Sequence, residues 1–504
     1  MSFASLAQPA VGPLVERFAT AGHATLLVGA GASMEADLPS WPDLVSKLLT
    51  TVADARDELA TPEAKSGWVR QTLERDGLLG AGAVVEVMAA RPLDELVPEQ
   101  LYSDEGPSGF VPGEIAHQVA YLRSCFGSGL EMLTTNYDDL IEEALIASGI
   151  SRGHVRSYVV NRTLEQRAPG VAAVIHLHGL AGRASPPKRI VLTEEHYHRM
   201  QRGRSWQETL VTECLENSVC LFVGMSLADP NLIRYLYGYK KSGTRRHAAI
   251  FVRQGEPSCP PAVRAMREEA TARRWGRCGV EAVFVDHYAD AAQLLYEIGY
   301  RREAGGSYEL VGTRADALLD RVETRLLLTT ADRELFANRQ VVLSAWLREM
   351  LYSVIESALG DPPPADEKLA LALWLMSRDG TRITGWAHSD RAHQDPATIS
   401  PIEIAAASDW VAVRTVCRGA RVDLDRDNYA SRWRFVRGLP LFVHQPSRLL
   451  IGCLTIASSK PGRESILTTM PADRRAAAHD TLLAVMRAII DATDELPDLD
   501  VSSP

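Results

Sequence analysis

The chain has 504 residues, which at roughly 150 per domain leaves room for two to four domains. Hydrophobic residues make up 46% and charged residues 23%, ordinary globular proportions that exclude a disordered chain. Lys and Arg total 54 against 64 Asp and Glu, a net charge of −10, so the basic excess of a dedicated nucleic-acid binder is absent. Six short apolar runs, 24–28, 130–134, 172–176, 219–223, 248–252 and 282–285, are nearly continuous rather than alternating. Parallel strands buried on both faces read this way. Amphipathic helical segments such as 138–147 and 232–239 fall between them. That is the βαβ rhythm of a Rossmann-like, doubly wound parallel sheet. Residues 42–111 are mostly helical, without a comparable strand, and are expected to form a helical insertion on a first domain spanning 1–300.

Gly305, Gly306 and Ser307 mark a junction, and a second, α+β domain is expected over 305–500. Between 332 and 359, Leu343, Leu347, Leu351, Val354 and Ala358 recur at three- and four-residue spacing, which predicts a long amphipathic helix. Prolines at 362–364 break the chain. Runs 369–376, 383–388, 433–442 and 449–457 then read as strands, 401–416 as a helical middle and 476–493 as a closing helix. The polar tail 494–504 is expected to fray. The first residues carry no basic segment and apolar core of the signal type, and no run approaches the roughly 18 apolar residues of a membrane span. Seven cysteines (Cys125, Cys214, Cys220, Cys259, Cys278, Cys417 and Cys453) are scattered, with no C-x-x-C pair. They read as reduced thiols of a cytoplasmic protein, and no zinc knuckle or other metal site is expected.

Four segments at strand exits carry residues suited to chemistry. Gly29-Ala30-Gly31-Ala32-Ser33 follows the first strand; its glycines would permit unusual backbone angles and close approach of a diphosphate, or serve only a tight turn. Leu38-Pro39-Ser40-Trp41 comes next, with Ser40 and Asp43 placed as a capping box. Thr134-Thr135-Asn136-Tyr137-Asp138 ends the second strand; Asn136 or Asp138 would cap the following helix, which leaves the Thr-Thr-Asn unexplained. His176-Leu177-His178-Gly179 offers two histidines. His178 is the candidate base, with Gly179 leaving space beside the imidazole, and His176 is a structural partner. In Gly224-Met225-Ser226-Leu227-Ala228-Asp229-Pro230-Asn231, Asp229 and Pro230 form a helix start, a structural role, while Gly224 and Ser226 suit a ribose or phosphate.

In this order the four segments resemble the sirtuin superfamily, specifically the zinc-less sirtuin-like domains of bacterial antiphage proteins, over residues 24 to about 290. Protein-deacylating sirtuins hold a four-cysteine zinc module after the His-Gly. Here 179–222 contains only Cys214 and Cys220, and Thr135 and Tyr137 flank Asn136 in place of the deacylase residues. The resemblance therefore implies plain NAD cleavage, with NAD as substrate and no metal. Asn136 and His178 would be catalytic, with Asn136 positioning the ribose or water and His178 as general base. Gly29, Ala30, Gly31, Ala32 and Ser33 would cradle the diphosphate through backbone N–H groups, with Pro39, Trp41 and Thr135 alongside. Asp138 would hold the nicotinamide carboxamide, and Gly224, Ser226 and Leu227 would border the adenosine half.

The second domain resembles a GAF domain in the order of its elements, with a generic α+β dimerisation domain as the alternative. Arg421, Arg426, Arg432, Arg434 and Arg437 form a basic cluster; a solvated face balanced by Asp423, Asp425 and Asp427 is preferred over an anion site. The resemblance implies an NAD hydrolase gated by an activating ligand, a phage-derived trigger or homo-oligomer assembly, depleting NAD in abortive infection. A protein deacylase and a non-catalytic NAD or ADP-ribose sensor are the rivals. The first is opposed by the missing zinc module, the second by Asn136 and His178.

Overall fold

The computed structural model describes residues 6–103, 110–159, 170–183, 186–201, 205–239, 247–253, 259–309, 311–325, 332–405, 408–426, 431–443 and 448–491. The expected tail 494–504 and Asp427 lie outside these. Seven strands build the first sheet: β1 Ala24–Val28, β2 Leu130–Thr134, β3 Val155–Tyr158, β4 Ala172–His176, β5 Val219–Val223, β6 His247–Val252 and β7 Val280–Val285. Their order is β3-β4-β2-β1-β5-β6-β7 and every pairing is parallel. β1 and β4 are buried along their whole length, which accounts for their continuous apolar sequences. The chain builds outward from β1 on one side, then returns across it to start β5. That places the topological switch between β1 and β5, where open α/β sheets hold ligands.

β3 has no counterpart among the six expected strands. Only Val155 of its four residues is buried, so an edge strand this short leaves no apolar run to detect. Helices Trp41–Asp54, Pro62–Met88 and Leu93–Leu101 fill the stretch expected to be a helical insertion, around a separate apolar cluster. Ser40 caps the first of them, its hydroxyl accepting from the Asp43 N–H at 3.3 Å, as the sequence indicates.

β8 Leu369–Met376, β9 Arg382–His388, β10 Ile402–Glu403, β11 Val422–Asp425, β12 Phe435–Val443 and β13 Leu449–Ser458 form an antiparallel sheet ordered β10-β9-β8-β13-β12-β11. The expected helical middle 401–416 is corrected. Ile402 and Glu403 pair with β9, and the helix runs only over Val411–Arg418. Pro401 starts a pairing segment, and the apolar stripe begins only at Val411. The long helix Arg333–Leu359 forms as expected, with Asp332 accepting from the Leu335 N–H, and a further helix, Val311–Arg325, precedes it. Helix Ala472–Asp491 is the last element.

Arg437 departs from the solvated-face expectation. It is fully buried, donating to both carboxylate oxygens of Asp423 at 2.7 and 2.5 Å. Facing positions on β11 and β12 bring the two together, inside the sheet's packed face.

One apolar cluster runs from the first sheet through helix Tyr288–Ala304 into the second sheet. Two arginines of the second half add polar contacts to the first. Arg418 pairs with Asp37 at 2.7 Å and Arg448 with Glu114 at 2.6 Å. Among the described residues, no helix is long and apolar enough to cross a membrane.

Candidate functional site

The exits of β1, β2, β4 and β5 converge at the switch point. The Gly31 N–H donates to the Gly224 carbonyl at 2.7 Å, and the Gly29 N–H to Val223 at 3.0 Å. A Cβ on Gly29 would stand 2.7 Å from the Gly224 oxygen, and one on Gly31 2.8 Å. Both glycines are therefore required by the approach of one loop to another. Gly29 itself has ordinary extended geometry (φ −111°), while Gly224 takes the left-handed φ of +67°. The expected backbone cradle needs correcting as well. The N–H groups of Gly29, Gly31, Ala32 and Ser33 already donate to Val223, Gly224, Gly29 and Ala30. Half-exposed Ala30 stands at the crest of this seam.

Asn136 ties the β1 and β2 exits together. Its Nδ2 donates to the Gly29 carbonyl at 3.1 Å and to Ser33 Oγ at 2.8 Å. Ser33 Oγ in turn donates to Asp138 Oδ2 at 2.7 Å. Asn136 is 6% exposed, and its Oδ1 has no hydrogen-bond partner among the described residues. An acceptor buried without a donor costs roughly 1–3 kcal/mol, so this atom is where a ligand hydroxyl or water would be rewarded. Thr135 is half-buried, its N–H donating to Val28. Asp138 Oδ1 accepts from the Leu140 N–H at 3.2 Å, a turn bond just before the helix, whose N-cap is Asp139. Burial pushes the Asp138 carboxyl above the usual range, opposed by the Ser33 and Leu140 bonds.

The two histidines sit in different surroundings. His176 is fully buried, bonded to the Asn136 carbonyl (3.0 Å) and Glu142 Oε1 (2.9 Å). Burial disfavours its charged form, but Glu142 outweighs this and holds the imidazole above its ordinary value. It is a brace beneath Asn136. His178 is also nearly buried; burial pushes its imidazole down, with Asp229 opposing. Gly179, at φ +97°, has neighbouring backbone where a Cβ would stand, 2.3 Å from the Arg189 carbonyl. The space is occupied by a neighbouring loop, which is why glycine is needed.

Asp229, expected to be purely structural, does more. Oδ1 caps helix Pro230–Gly238 through the Leu232 N–H at 2.8 Å. Oδ2 accepts from the Tyr197 hydroxyl at 2.5 Å and lies 3.4 Å from His178 Nε2. Tyr197 was not singled out from sequence; it sits on helix Glu194–Gln201, with no motif to mark it. Ser226 is exposed at the seam. Leu227, at φ +53°, has its side chain packed in the core, which leaves only its backbone to border a nucleotide. Pro39 and Trp41 are half-buried, Trp41 against the helical cluster. A cavity of about 650 Å³ opens beside the β4 exit, lined by His176, Gly179, Arg189, His196 and Trp206 among others. Among the described residues, no group of three or more His, Cys, Asp or Glu side chains is placed to hold a metal ion.

The chain is 28% identical over 175 residues to the NAD(+) hydrolase ThsA of Acinetobacter baumannii (strain 532279), a match covering 33% of this chain and 35% of that protein. The chain thus spans about a third of this curated relative's length. A solved complex of a Sir2 homolog with NAD covers 58% of this chain and 93% of its own, at 15% identity and a TM-score of 0.29. A GAF sensor protein from Burkholderia vietnamiensis covers 34% of this chain and 86% of its own, at 14% identity and a TM-score of 0.19. Residues 130–281, which hold Asn136, His178 and Asp229, match the SIR2-like domain family.

Proposed function

We propose that the chain is an NAD glycohydrolase, in which water replaces nicotinamide on the ribose anomeric carbon. The products are nicotinamide, ADP-ribose and a proton. The observation that carries this reading is the buried Asn136 Oδ1, lacking a partner at the switch point while the rest of the amide is held by Gly29 and Ser33. There it would accept a hydroxyl of the nicotinamide ribose or the attacking water. His178, kept neutral by burial, is a base competent near neutral pH, a role worth roughly 10²–10⁴-fold in rate. It would take the proton that the attacking water loses as the new C–O bond forms and the C–N bond to nicotinamide breaks, and then pass that proton to solvent. The dinucleotide would lie over the seam of the Gly29–Gly31 and Gly224–Ser226 loops, with Asp138 toward the carboxamide. The relative's name, NAD(+) hydrolase, supports the same reaction.

The gate is also part of this reading. Arg418 of the second half pairs with Asp37, and Asp37 stands four residues after Ser33, which holds Asn136. A shift of the second domain would thus be felt at the site. A ligand, a phage-derived trigger or a homo-oligomer contact would supply it, and NAD depletion would then arrest an infected cell. The test incubates purified protein with NAD alone, following nicotinamide and ADP-ribose with and without infected-cell lysate. Equimolar release of both products without acylated peptide, lost in Asn136→Ala, is expected. Release that needs an acetyl-lysine peptide, or none under either condition, overturns the reading.

A further inference from the structure

We infer that Asp229 and Tyr197 are positioning residues for His178, the carboxylate choosing which imidazole nitrogen meets the substrate and the phenol restraining that carboxylate. This rests on the NAD-cleaving reading for its consequence, though not for its geometry. A helix cap needs one oxygen, and Asp229 Oδ1 supplies it to Leu232. Ser or Asn would cap equally well. Nothing in capping calls for a tyrosine hydroxyl at 2.5 Å from the second oxygen, or for that oxygen to stand 3.4 Å from a buried imidazole. The Tyr197 ring lies against His178, centroids 5.6 Å apart. Three elements, the β4 exit, helix Glu194–Gln201 and the start of helix Pro230–Gly238, are therefore aimed at one carboxylate oxygen.

The chemical consequence is a choice of tautomer. With Nε2–H directed toward Asp229, Nδ1 keeps the lone pair and is the nitrogen able to take a proton. At 3.4 Å the contact is longer than a formed hydrogen bond. As Nδ1 gains a proton, the imidazolium would draw the carboxylate in and be stabilised by it. The other titratable groups facing the cluster are phenols: Tyr137 from the β2 exit and Tyr235 from helix Pro230–Gly238. Burial pushes Tyr137, Tyr197 and Tyr235 up, so all three stay neutral. Asp229 is the charge that His178 senses.

Two substitutions should move His178 in opposite directions. Asp229→Asn keeps the cap, removes the charge and turns an amide N–H₂ toward Nε2, which then holds the lone pair. The His178 pKa falls, the tautomer switches and kcat drops by about 100-fold or more. Tyr197→Phe leaves the carboxylate with one donor fewer, so it attracts imidazolium more strongly and the His178 pKa rises. The experiment is NMR of full-length protein carrying labelled histidine, with His178→Gln assigning the resonance. Titration and ¹⁵N shifts are read in wild type and both variants without NAD, and pH profiles of nicotinamide release are read alongside. Asp229→Ser, which also caps, replaces Asp229→Asn if that variant fails to fold. Opposite shifts of titration midpoint are the expected result. Shifts in the same direction, or none, overturn the inference, because a purely structural role moves stability and leaves the tautomer alone. If the two variants show the opposite shifts but wild type releases no nicotinamide, the cluster stands and the NAD-cleaving reading falls.

Discussion

Glu35 offers the largest pH effect whose size follows from its surroundings. It lies in the turn after Ser33, 5% exposed, with Oε2 accepting from the Ile115 N–H at 3.0 Å. Gly113 packs so closely that a Cβ there would stand 2.5 Å from the carboxylate. Burial pushes the carboxyl up to about 8 from an ordinary 4.5, with Ile115 and Arg418 opposing and Glu114 assisting. At neutral pH it is therefore protonated in the folded protein and ionised in the unfolded chain. Because the folded value is the higher, the stabilisation is complete below about pH 4.5 and is lost as pH rises toward 8. That difference corresponds to about 5 kcal/mol. Glu35→Gln keeps shape and acceptor but cannot ionise, so its stability should fall less over the same range. Thermal unfolding followed by tryptophan fluorescence at pH 5 and pH 8.5 is the assay. At about 1 °C per kcal/mol for a chain of this length, and with about 4 of the 5 kcal/mol falling inside this window, wild type should lose roughly 4 °C more than the variant between the two pH values. Parallel declines in both proteins would refute the reasoning, since the lost stability would then belong to other groups.

Gly31→Ala forces a Cβ to 2.8 Å from the Gly224 oxygen and should destabilise by about 1–3 kcal/mol, with a raised KM for NAD; urea unfolding and steady-state kinetics check it. His176→Ala removes the ionisable partner of buried Glu142, leaving it only the Ser157 hydroxyl, and should cost about 3–5 kcal/mol, whereas His178→Ala should abolish nicotinamide release with little loss of stability. Equal unfolding midpoints for the two variants would show that these histidines have been assigned the wrong way round. Arg418→Ala removes a half-exposed ion pair worth roughly 0–1 kcal/mol, yet should alter how nicotinamide release responds to infected-cell lysate. An unchanged response would place the domain coupling elsewhere.

Much of this molecule was determined by local pattern. Continuous apolar runs such as Ala24–Val28 and Val219–Val223 suit strands covered on both faces and could be read without coordinates. The same holds for the caps at Ser40 and Asp229, because a cap and its helix are neighbours in the chain. Edge strands fared worse: β3 and β11 have four residues each and gain their pairing from partners, not from a buried stripe of their own. Asn136 and His178 could be singled out by their places at strand exits, but their surroundings could not. Tyr197 meets Asp229 across 32 positions, and Asn136 meets Gly29 across 107. Only the parallel sheet brings such pairs together. The glycines make the same point: their presence is written in the sequence, but their reason is another loop's backbone lying within 3 Å of the missing Cβ. Local hydrogen bonding and periodicity are properties of a segment, whereas a close approach belongs to two segments at once, and only the tertiary structure decides which two.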